Sequence, residues 1–297
     1  MEHRLFYCDH YAIPLPAGHK FPMAKYRMLR DLLAEDGCFR FQGARMADPK
    51  IIELAHDPAY VRDFLNGALP DAAVRRIGFP WSEGLVRRTL ASVGGTLAAT
   101  CDAFDWGWGG NLAGGTHHAF RAEGSGFCVF NDIAIAIQWL RAQGRIQRAA
   151  VVDLDVHQGD GTARIFEDDR DVLTLSVHAK SNFPFHKQRS KIDIDLDDHI
   201  DDEPYLAALD RVLPAVFAFE PDIIFYQSGV DPLCTDTLGR LSLTDAGLKE
   251  RDRRVISSAH AHSIPIVLTL GGGYSRPIEL TAQAHANTFR TASEIFS

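Results

Sequence analysis

The sequence contains few cysteines, and none of them form a CxxC pair. The five cysteines are odd in number and scattered along 297 residues, at Cys8, Cys38, Cys101, Cys128 and Cys234. This pattern does not fit the disulfide framework of a small secreted protein, which uses an even number of cysteines. We therefore expect reduced thiols and a cytoplasmic location.

Long apolar runs and basic blocks are also missing. No run approaches the ~18 apolar residues that a membrane helix needs, and the N-terminal MEHRLFYCDH lacks the apolar core of a signal peptide. No block is rich in lysine and arginine, and the formal net charge is −8. We expect neither a membrane protein nor direct nucleic-acid binding. An acidic exterior would suit a cationic substrate, although mild acidity is common among cytosolic proteins.

Repeats, low-complexity tracts and linker-like segments are absent from the sequence. Its 46% apolar and 24% charged residues are typical of a globular protein with a sizeable core. Helical patterns alternate with short apolar runs, namely AAVVDLDV, DVLTLSV, DIIFYQSG and IPIVLTLG. This alternation predicts an α/β fold, with a parallel sheet covered by helices on both faces and residues 1–297 in a single domain.

Polar residues follow each of these four runs at the point where the strand should end. The ends are DLDVH, SVH, GVDP and GGGY. Ligands of open parallel sheets bind beyond the carboxyl ends of the strands. We therefore expect a functional site where these four segments meet.

Asp153, Asp155 and His157 alternate with apolar residues at the end of the first run. An extended strand reaching His157 would put all three on one face. Asp155 and His157 could then hold a metal ion, with Asp231 of the neighbouring strand end as the third ligand. Two carboxylates and one imidazole leave an open position, as in catalytic zinc sites. The alternative is that these acids cap the next helix and pair with arginines.

Three further segments carry groups that could act in catalysis. GGTHHAF holds adjacent histidines, His117 and His118, and histidine suits a general base near neutral pH. GSGFCVFND holds Phe127, which could line an apolar passage or simply belong to the core. GGGY presents Tyr274 on a glycine turn, where its phenol could donate a hydrogen bond to an oxyanion. A plain loop remains the alternative for the histidines, and a phosphate loop for GGGY.

Taken together, these segments resemble the histone deacetylase family of zinc-dependent amidohydrolases. They follow the family's order over residues 110–275: GGTHHA, GSGFCVFND, VVDLDVHQGDGT, LSVH, SGVDPLCTDTLGRLSLT and LTLGGGYS. The short chain and the segment HKFPMAKYRML are most similar to the class IV branch and its bacterial relatives. The resemblance implies an arginase-like, three-layer α/β fold with a central, mainly parallel sheet of about eight strands.

The resemblance also implies roles for the residues of the expected site. It implies one zinc ion held by Asp155, His157 and Asp231, and a Tyr274 that polarises the acyl carbonyl. Two histidine–aspartate pairs are implied, in the order His117–Asp153 and His118–Asp160, with His118 as the general base. The implied substrate contacts are Gly126, Phe127 and Phe183. A structural potassium ion is implied at Asp153, Asp155, His157, Ser176 and Val177.

The function expected on these grounds is hydrolysis of Nε-acyl-lysine by a metal-activated water, with an acetyl or a longer acyl group. Some class IV relatives are known to remove long fatty acyl groups. The first alternative is deacetylation of an acetylpolyamine or another small amide. A binuclear ureohydrolase would need a carboxylate two residues after His157, where Gly159 stands. A non-catalytic acyl-lysine-binding protein is the remaining alternative. Gln158 replaces the second histidine that other branches carry in HHGDG.

Overall fold

The computed structural model describes residues 3–11 and 13–297. Its centre is one eight-stranded sheet in the order β2-β1-β3-β8-β7-β4-β5-β6, and every neighbouring pair is parallel. The strands are β1 (His3–Tyr7), β2 (Phe39–Gly43), β3 (Trp108–Asn111), β4 (Ala149–Asp153), β5 (Val172–Ala179), β6 (Ile192–Leu196), β7 (Ile223–Gln227) and β8 (Ile266–Thr269). The prediction of a mainly parallel sheet of about eight strands is confirmed.

The helices form two packed groups around this sheet. One group contains α2 (Pro49–Ile52), α5 (Glu83–Trp106), α6 (Asp132–Ala142) and α7 (Asp160–Ile165). The other contains α1 (Ala24–Glu35), α8 (Asp202–Ala218), α9 (Asp245–Ala261) and α10 (Glu279–Ile295). Three short elements precede α5 in the chain: a 3₁₀ turn (Asp9–Tyr11), α3 (Pro58–Leu65) and α4 (Asp71–Ile77). Within the described residues, every helix is too short or too polar to span a bilayer.

The central strands are buried along their whole length, which explains their continuous apolar sequences. Every residue of β4, β5, β7 and β8 is buried. A strand with helices on both of its faces has no side that contacts water, so the alternation of apolar and polar residues disappears. The edge strands β2 and β6 keep mixed patterns, since part of each is exposed.

Strand β4 ends earlier than the sequence predicted. The extended geometry expected as far as His157 was wrong, because the strand stops at Asp153. The Asp155 N–H donates to Asp153 Oδ1 at 3.2 Å, and the His157 N–H donates to Asp155 Oδ1 at 3.0 Å. Aspartate side chains that bond the backbone two residues on compete with the strand ladder and bend the chain. Residues 154–157 therefore turn across the end of the sheet.

A glycine sets the distance between α5 and the sheet. A Cβ atom on Gly109 of β3 would lie 1.9 Å from the Ala99 carbonyl oxygen and 3.1 Å from the Ala103 nitrogen. The helix backbone thus rests directly on the strand backbone. Strand β3 leads into GGTHHAF, so this contact also positions the two histidines.

We expect Gly109→Ala to lower the free energy of unfolding by about 1–3 kcal/mol, the usual cost of overpacking a rigid core. The matched control is Gly84→Ala near the start of α5, where the added carbon would meet the Ile13 side chain at an ordinary 3.5 Å. Urea unfolding of the three proteins measures the difference. Equal stability of Gly109→Ala and the wild type would contradict the close packing.

Candidate metal and catalytic site

A cavity of about 740 Å³ opens where the carboxyl ends of the central strands meet. This is where ligands bind in open parallel sheets. Among the residues that line the cavity are those singled out in the sequence: His117, His118, Gly126, Phe127, Asp155, His157, Phe183 and Tyr274. The structure thus brings together, around one cavity, residues that are up to 157 positions apart in the chain.

Asp155, His157 and Asp231 form a cluster that could hold a metal ion. Their ligand atoms all lie within 4.8 Å of one another. His157 Nδ1 lies 2.9 Å from Asp155 Oδ1 and 3.1 Å from Asp231 Oδ2. Both aspartates are completely buried. The bend after β4 brings Asp155 and His157 together, and Asp231 comes from the segment that follows β7.

One carboxylate oxygen of this cluster is left unsatisfied. Asp231 Oδ1 accepts the Val156 N–H at 2.9 Å, but no described residue donates a well-aligned hydrogen bond to its buried Oδ2. Burial and the adjacent Asp155 raise the pKa of Asp231 to about 7. Burial opposes charge on His157, but its hydrogen bond to Asp155 and the nearby Asp231 carboxylate outweigh burial and raise its pKa to about 10. This field favours positive charge, and a cation would satisfy the orphaned oxygen, so the residues fit a metal.

Bare backbone surrounds the carboxylates of the cluster. The Gly272 N–H donates to Asp155 Oδ2 at 2.7 Å. A Cβ atom on Gly272 would lie 1.8 Å from Asp231 Oδ2, and one on Gly229 would lie 2.2 Å from Asp155 Oδ2. Any side chain at these two positions would displace the ligand oxygens. The glycines of SGVD and GGGY are therefore needed to leave space beside the cluster of Asp155, His157 and Asp231.

Each of the adjacent histidines is held by its own aspartate. His117 Nδ1 lies 2.8 Å from Asp153 Oδ2, and His118 Nδ1 lies 2.6 Å from Asp160 Oδ1. The two rings are 4.1 Å apart between centroids. The carboxylates fix the orientation of the rings and make Nε2 the nitrogen available to a bound molecule. The histidines and aspartates are paired as the resemblance implied. The catalytic roles of the two histidines stay predictions.

The pKa values of the two histidines are shifted in opposite directions. Burial, reinforced by the neighbouring His117, lowers the pKa of His118 to about 4. Burial also opposes charge on His117, but Asp153 and Asp155 outweigh it and raise the pKa of His117 to about 9. The two shifts run in opposite directions, so His118 loses its proton more readily than His117 does.

Aromatic rings form the walls of the cavity above the histidines. The Phe183 ring meets His118 edge-on at 4.9 Å. A Cβ atom on Gly126 would lie 2.8 Å from His118 Cδ2 and 3.2 Å from the Phe183 ring, so the Gly126 backbone closes directly on both. Phe127 has a φ of 66°, uncommon for a residue with a side chain. Of the two interpretations of Phe127, the structure favours a cavity wall over an ordinary core position.

Tyr274 lines the same cavity on the glycine turn that follows β8. Its N–H donates to Asp236 Oδ2 at 2.6 Å, and its ring lies 6.3 Å from that of Phe127. Burial raises the pKa of its phenol well above the usual value. The hydroxyl therefore keeps the proton that a hydrogen-bond donor requires.

The residues proposed for a potassium ion lie at the end of β4, in the bend that follows it, and in the neighbouring part of β5. Asp153 pairs in register with Ser176, and Ser176 Oγ lies 2.9 Å from His178 Nδ1. Asp155 and His157 follow in the bend, and Val177 follows Ser176. The potassium site stays a prediction.

Sequence reasoning missed two buried cations near the site. Arg251 of α9 is fully buried, and its Nη1 donates to the carbonyls of Leu154 at 3.1 Å and Gly229 at 2.6 Å. It thus ties together the two segments that carry the metal-cluster aspartates. Its surroundings in sequence, KERDRR, are typical of a solvated helix face and gave no signal.

Lys25 of α1 is also buried, and its spacing of four and eight residues from Leu29 and Leu33 places it on the apolar stripe of that helix.

We expect the purified protein to bind about one divalent ion per chain, and Asp155→Ala, His157→Ala and Asp231→Ala each to lose it. Three ligands leave none to spare, so removing one should abolish tight binding. Metal analysis after dialysis measures the stoichiometry. The matched control is Asp160→Asn, a buried aspartate of the same site outside the cluster, which should keep its metal. Full occupancy in all three alanine variants would contradict the assignment.

Comparison with known proteins identifies the family to which this chain belongs. The model of the family described as "Histone deacetylase domain" matches residues 19–291. An uncharacterized protein of Picosynechococcus sp. is 44% identical over 294 residues, covering 98% of each chain. The acetoin utilization protein AcuC of Bacillus subtilis is 32% identical over 86% of this chain and 72% of its own.

The fold has close counterparts among solved structures. An acetylpolyamine aminohydrolase from Burkholderia pseudomallei superposes with a TM-score of 0.82 over 99% of both chains, at 22% identity. At that identity the likeness concerns the fold alone. The match over residues 19–291 and the level of identity to the bacterial relatives place this chain in the histone deacetylase family, whose members hydrolyse linear amides.

Proposed function

We propose that this protein is a zinc-dependent hydrolase that removes acyl groups, acetyl or longer, from the side-chain nitrogen of lysine. The observation that carries the proposal is the meeting of three metal-binding side chains and two histidine–aspartate pairs on one cavity. Zinc held by Asp155, His157 and Asp231 would supply Lewis-acid polarisation. All other steps are assigned to residues of the chain itself.

His118 acts first as base and then as acid. Its Nδ1 is bound to Asp160, so Nε2 takes a proton from the attacking water and later delivers it to the leaving amine. His117, bonded to Asp153, would lie beside His118 and tune it electrostatically. The Tyr274 phenol donates a hydrogen bond to the oxyanion of the tetrahedral intermediate. Burial of these groups keeps bulk water away from the proton transfers.

The walls of the cavity suit a lysine side chain. Phe127 and Phe183 offer apolar rings to the four-carbon stem, and Gly126 allows its backbone to approach the substrate. An acylated lysine nitrogen is neutral, so the amide enters this passage without losing the hydration of a charge. These contacts support an Nε-acyl-lysine as the group that enters.

Two alternatives from the sequence receive less support. A binuclear ureohydrolase needs a carboxylate at position 159, but a Cβ atom on Gly159 would already lie 2.2 Å from Asp153 Oδ2. A non-catalytic acyl-lysine-binding protein would have no use for two oriented histidines beside a metal cluster. Neither hypothesis accounts for His118 and its partner Asp160.

The charges at the mouth of the cavity favour a peptide over a polyamine. The cations that line the cavity are Lys20, Arg75, Arg76 and Arg240. Among the described residues of the lining, the acid is Asp155, which belongs to the metal cluster. Arg76 pairs with Glu123 and Arg240 pairs with Asp198, whereas Lys20 and Arg75 form no ion pair in the described part of the chain. Such a mouth repels a polyamine, despite the net charge of −8.

The remaining expectations accompany this proposal as predictions. They are the class IV assignment, a structural potassium ion, one catalytic domain over residues 1–297, a cytoplasmic location, and the lack of direct nucleic-acid or membrane partners. All five cysteines are unpaired, which supports a reducing compartment.

We expect Tyr274→Phe to keep the fold and the metal but to lower kcat by about 10²–10³, the usual cost of one oxyanion donor. His118→Ala should be severely impaired, and His117→Ala less so, because the base is lost only in the first. Turnover of an acetyl-lysine peptide and of a longer-chain analogue measures all three variants, and metal content controls for the site. Unchanged turnover in Tyr274→Phe, or equal and mild losses in both histidine variants, would contradict these roles.

We expect acyl-lysine peptides with acidic flanking residues to have a kcat/KM about 3- to 10-fold above that of matched basic peptides, because exposed charges contribute modestly. Lys20→Glu/Arg75→Glu should reverse this preference, and added salt should shrink it. The matched control is Lys249→Glu, an exposed lysine of α9 away from the cavity. An acetylpolyamine hydrolysed faster than a neutral acetyl-lysine peptide would favour the alternative substrate.

A further inference from the structure

The side chain of Gln158 bonds a segment that lines the cavity. The residue is 1% exposed, and its Oε1 accepts the Gln188 N–H at 2.8 Å. Its Nε2 donates to the Gln188 carbonyl and to Asp193 Oδ1, both at 2.8 Å. The other oxygen of Asp193 accepts the Ser190 N–H at 2.8 Å. One side-chain amide thus pairs with both backbone groups of Gln188 and with the carboxylate that bonds Ser190.

The bonded segment, residues 182–190, forms part of the cavity wall. It contains neither helix nor strand, so no backbone ladder holds it in place. It carries Phe183, whose ring meets that of His118 edge-on at 4.9 Å. The position of this ring therefore depends on the side-chain bonds at the two ends of the segment.

The beginning of the segment is bonded to the loop that follows β7. Asn182 Nδ2 donates to the Leu238 carbonyl at 2.7 Å, and Asn182 Oδ1 accepts the Arg240 N–H at 2.9 Å. Near the other end, the amide of Gln158 makes the equivalent pair of bonds. The segment is thus held on either side of Phe183 by a buried amide side chain.

Gln158 belongs to the same short stretch of backbone as two groups of the site. His157 of the metal cluster precedes it, and Asp160, which bonds His118 Nδ1 at 2.6 Å, comes two residues later. The Phe183 wall and the His118 ring are therefore placed relative to one stretch of chain. Loss of the Gln158 bonds would free the wall and leave the bond between His118 and Asp160 in place.

The three bonds of Gln158 require a side-chain amide. A neutral histidine offers one donor and one acceptor, so it could make at most two of them. A glutamate could accept the Gln188 N–H, but it would face the Gln188 carbonyl and the Asp193 carboxylate without a donor. A methionine, of similar length, would make none. These differences provide a graded series of variants.

We propose that Gln158 is a positioning residue that fixes the segment 182–190 and, through it, the Phe183 ring that lines the passage for the acyl-lysine stem. It does not touch the reacting atoms. A wall that is already in place binds the substrate without the cost of being ordered. The inference rests on the proposed deacylase function for its kinetic consequence, whereas the attachment of the segment is independent of any activity.

The kinetic test compares the wild type with Gln158→His, Gln158→Met, Phe183→Ala and Gln158→Met/Phe183→Ala on one acetyl-lysine peptide. We expect Gln158→Met to raise KM about 10-fold and to change kcat less than about 3-fold, since binding is weakened while the reacting groups stay in place. Gln158→His should have an intermediate KM. In the Phe183→Ala background, Gln158→Met should raise KM little further, because the ring that it positions is gone.

The matched control is Gln188→Ala. Gln188 is bonded to Gln158 through its backbone alone, so this variant should keep the wild-type KM. Metal content should stay at the wild-type level in every variant, since Gln158 lies outside the metal cluster.

Hydrogen–deuterium exchange of the Gln188 amide supplies the readout without activity. We expect this amide to exchange at least about 10-fold faster in Gln158→Met, while the amides of β4 and β5 keep their protection. Unchanged exchange, a fall in kcat with KM unchanged, equal increases of KM with and without the Phe183 ring, or loss of the metal would each overturn the proposal.

Failure of both Gln158 variants to fold while Gln188→Ala folds would also overturn it, since Gln158 would then be a folding determinant. Faster exchange of the Gln188 amide in a protein whose wild type hydrolyses no acyl-lysine peptide would refute the proposed function and leave the attachment of the segment intact.

Discussion

The rest of this structure depends on how the negative charge buried at one end of the sheet is compensated. Four buried carboxylates converge there: Asp153, Asp155, Asp160 and Asp231. An uncompensated buried charge is far costlier than any single contact can repay. The compensating groups nearest to them are imidazoles, at His117, His118 and His157. Among the described residues, none donates a well-aligned hydrogen bond to Asp231 Oδ2, and a metal ion bound by this cluster would satisfy that oxygen.

This requirement also explains why so much of the site is bare backbone. A carboxylate is stabilised by short N–H bonds, and parts of the backbone pass so close to these carboxylates that a side chain there would collide with them. Gly272 provides such a bond to Asp155, and both Gly229 and Gly272 leave room for the ligand oxygens. The same bareness would leave the glycine turn loose. The Lys25 ammonium bonds the Gly271 carbonyl and the Asp155 carboxylate accepts the Gly272 N–H, so the turn that carries Tyr274 is bonded to charged groups at both residues.

The features that sequence could predict are those carried by local patterns. Continuous apolar runs identified the buried strands, and polar residues at the strand ends located the cavity, because both follow from parallel-sheet geometry. The bend after Asp153 was not predictable from a period of two, since side-chain oxygens of Asp153 and Asp155 replace the ladder there. Arg251 was hidden for another reason: a charge in a helix is usually solvated, and only tertiary packing turns it inward. Lys25 did leave a signal, its place on an apolar stripe.

Under the proposed function, the charge at the mouth of the cavity would discriminate between substrates. The acylated nitrogen of a lysine would be neutral, so it could pass Lys20 and Arg75 without repulsion. Hydrolysis would produce an amine that takes up a proton, and that new charge would have to pass the same cations. An acylated polyamine would carry its positive charges past Lys20 and Arg75 before any reaction, and these cations would oppose its entry.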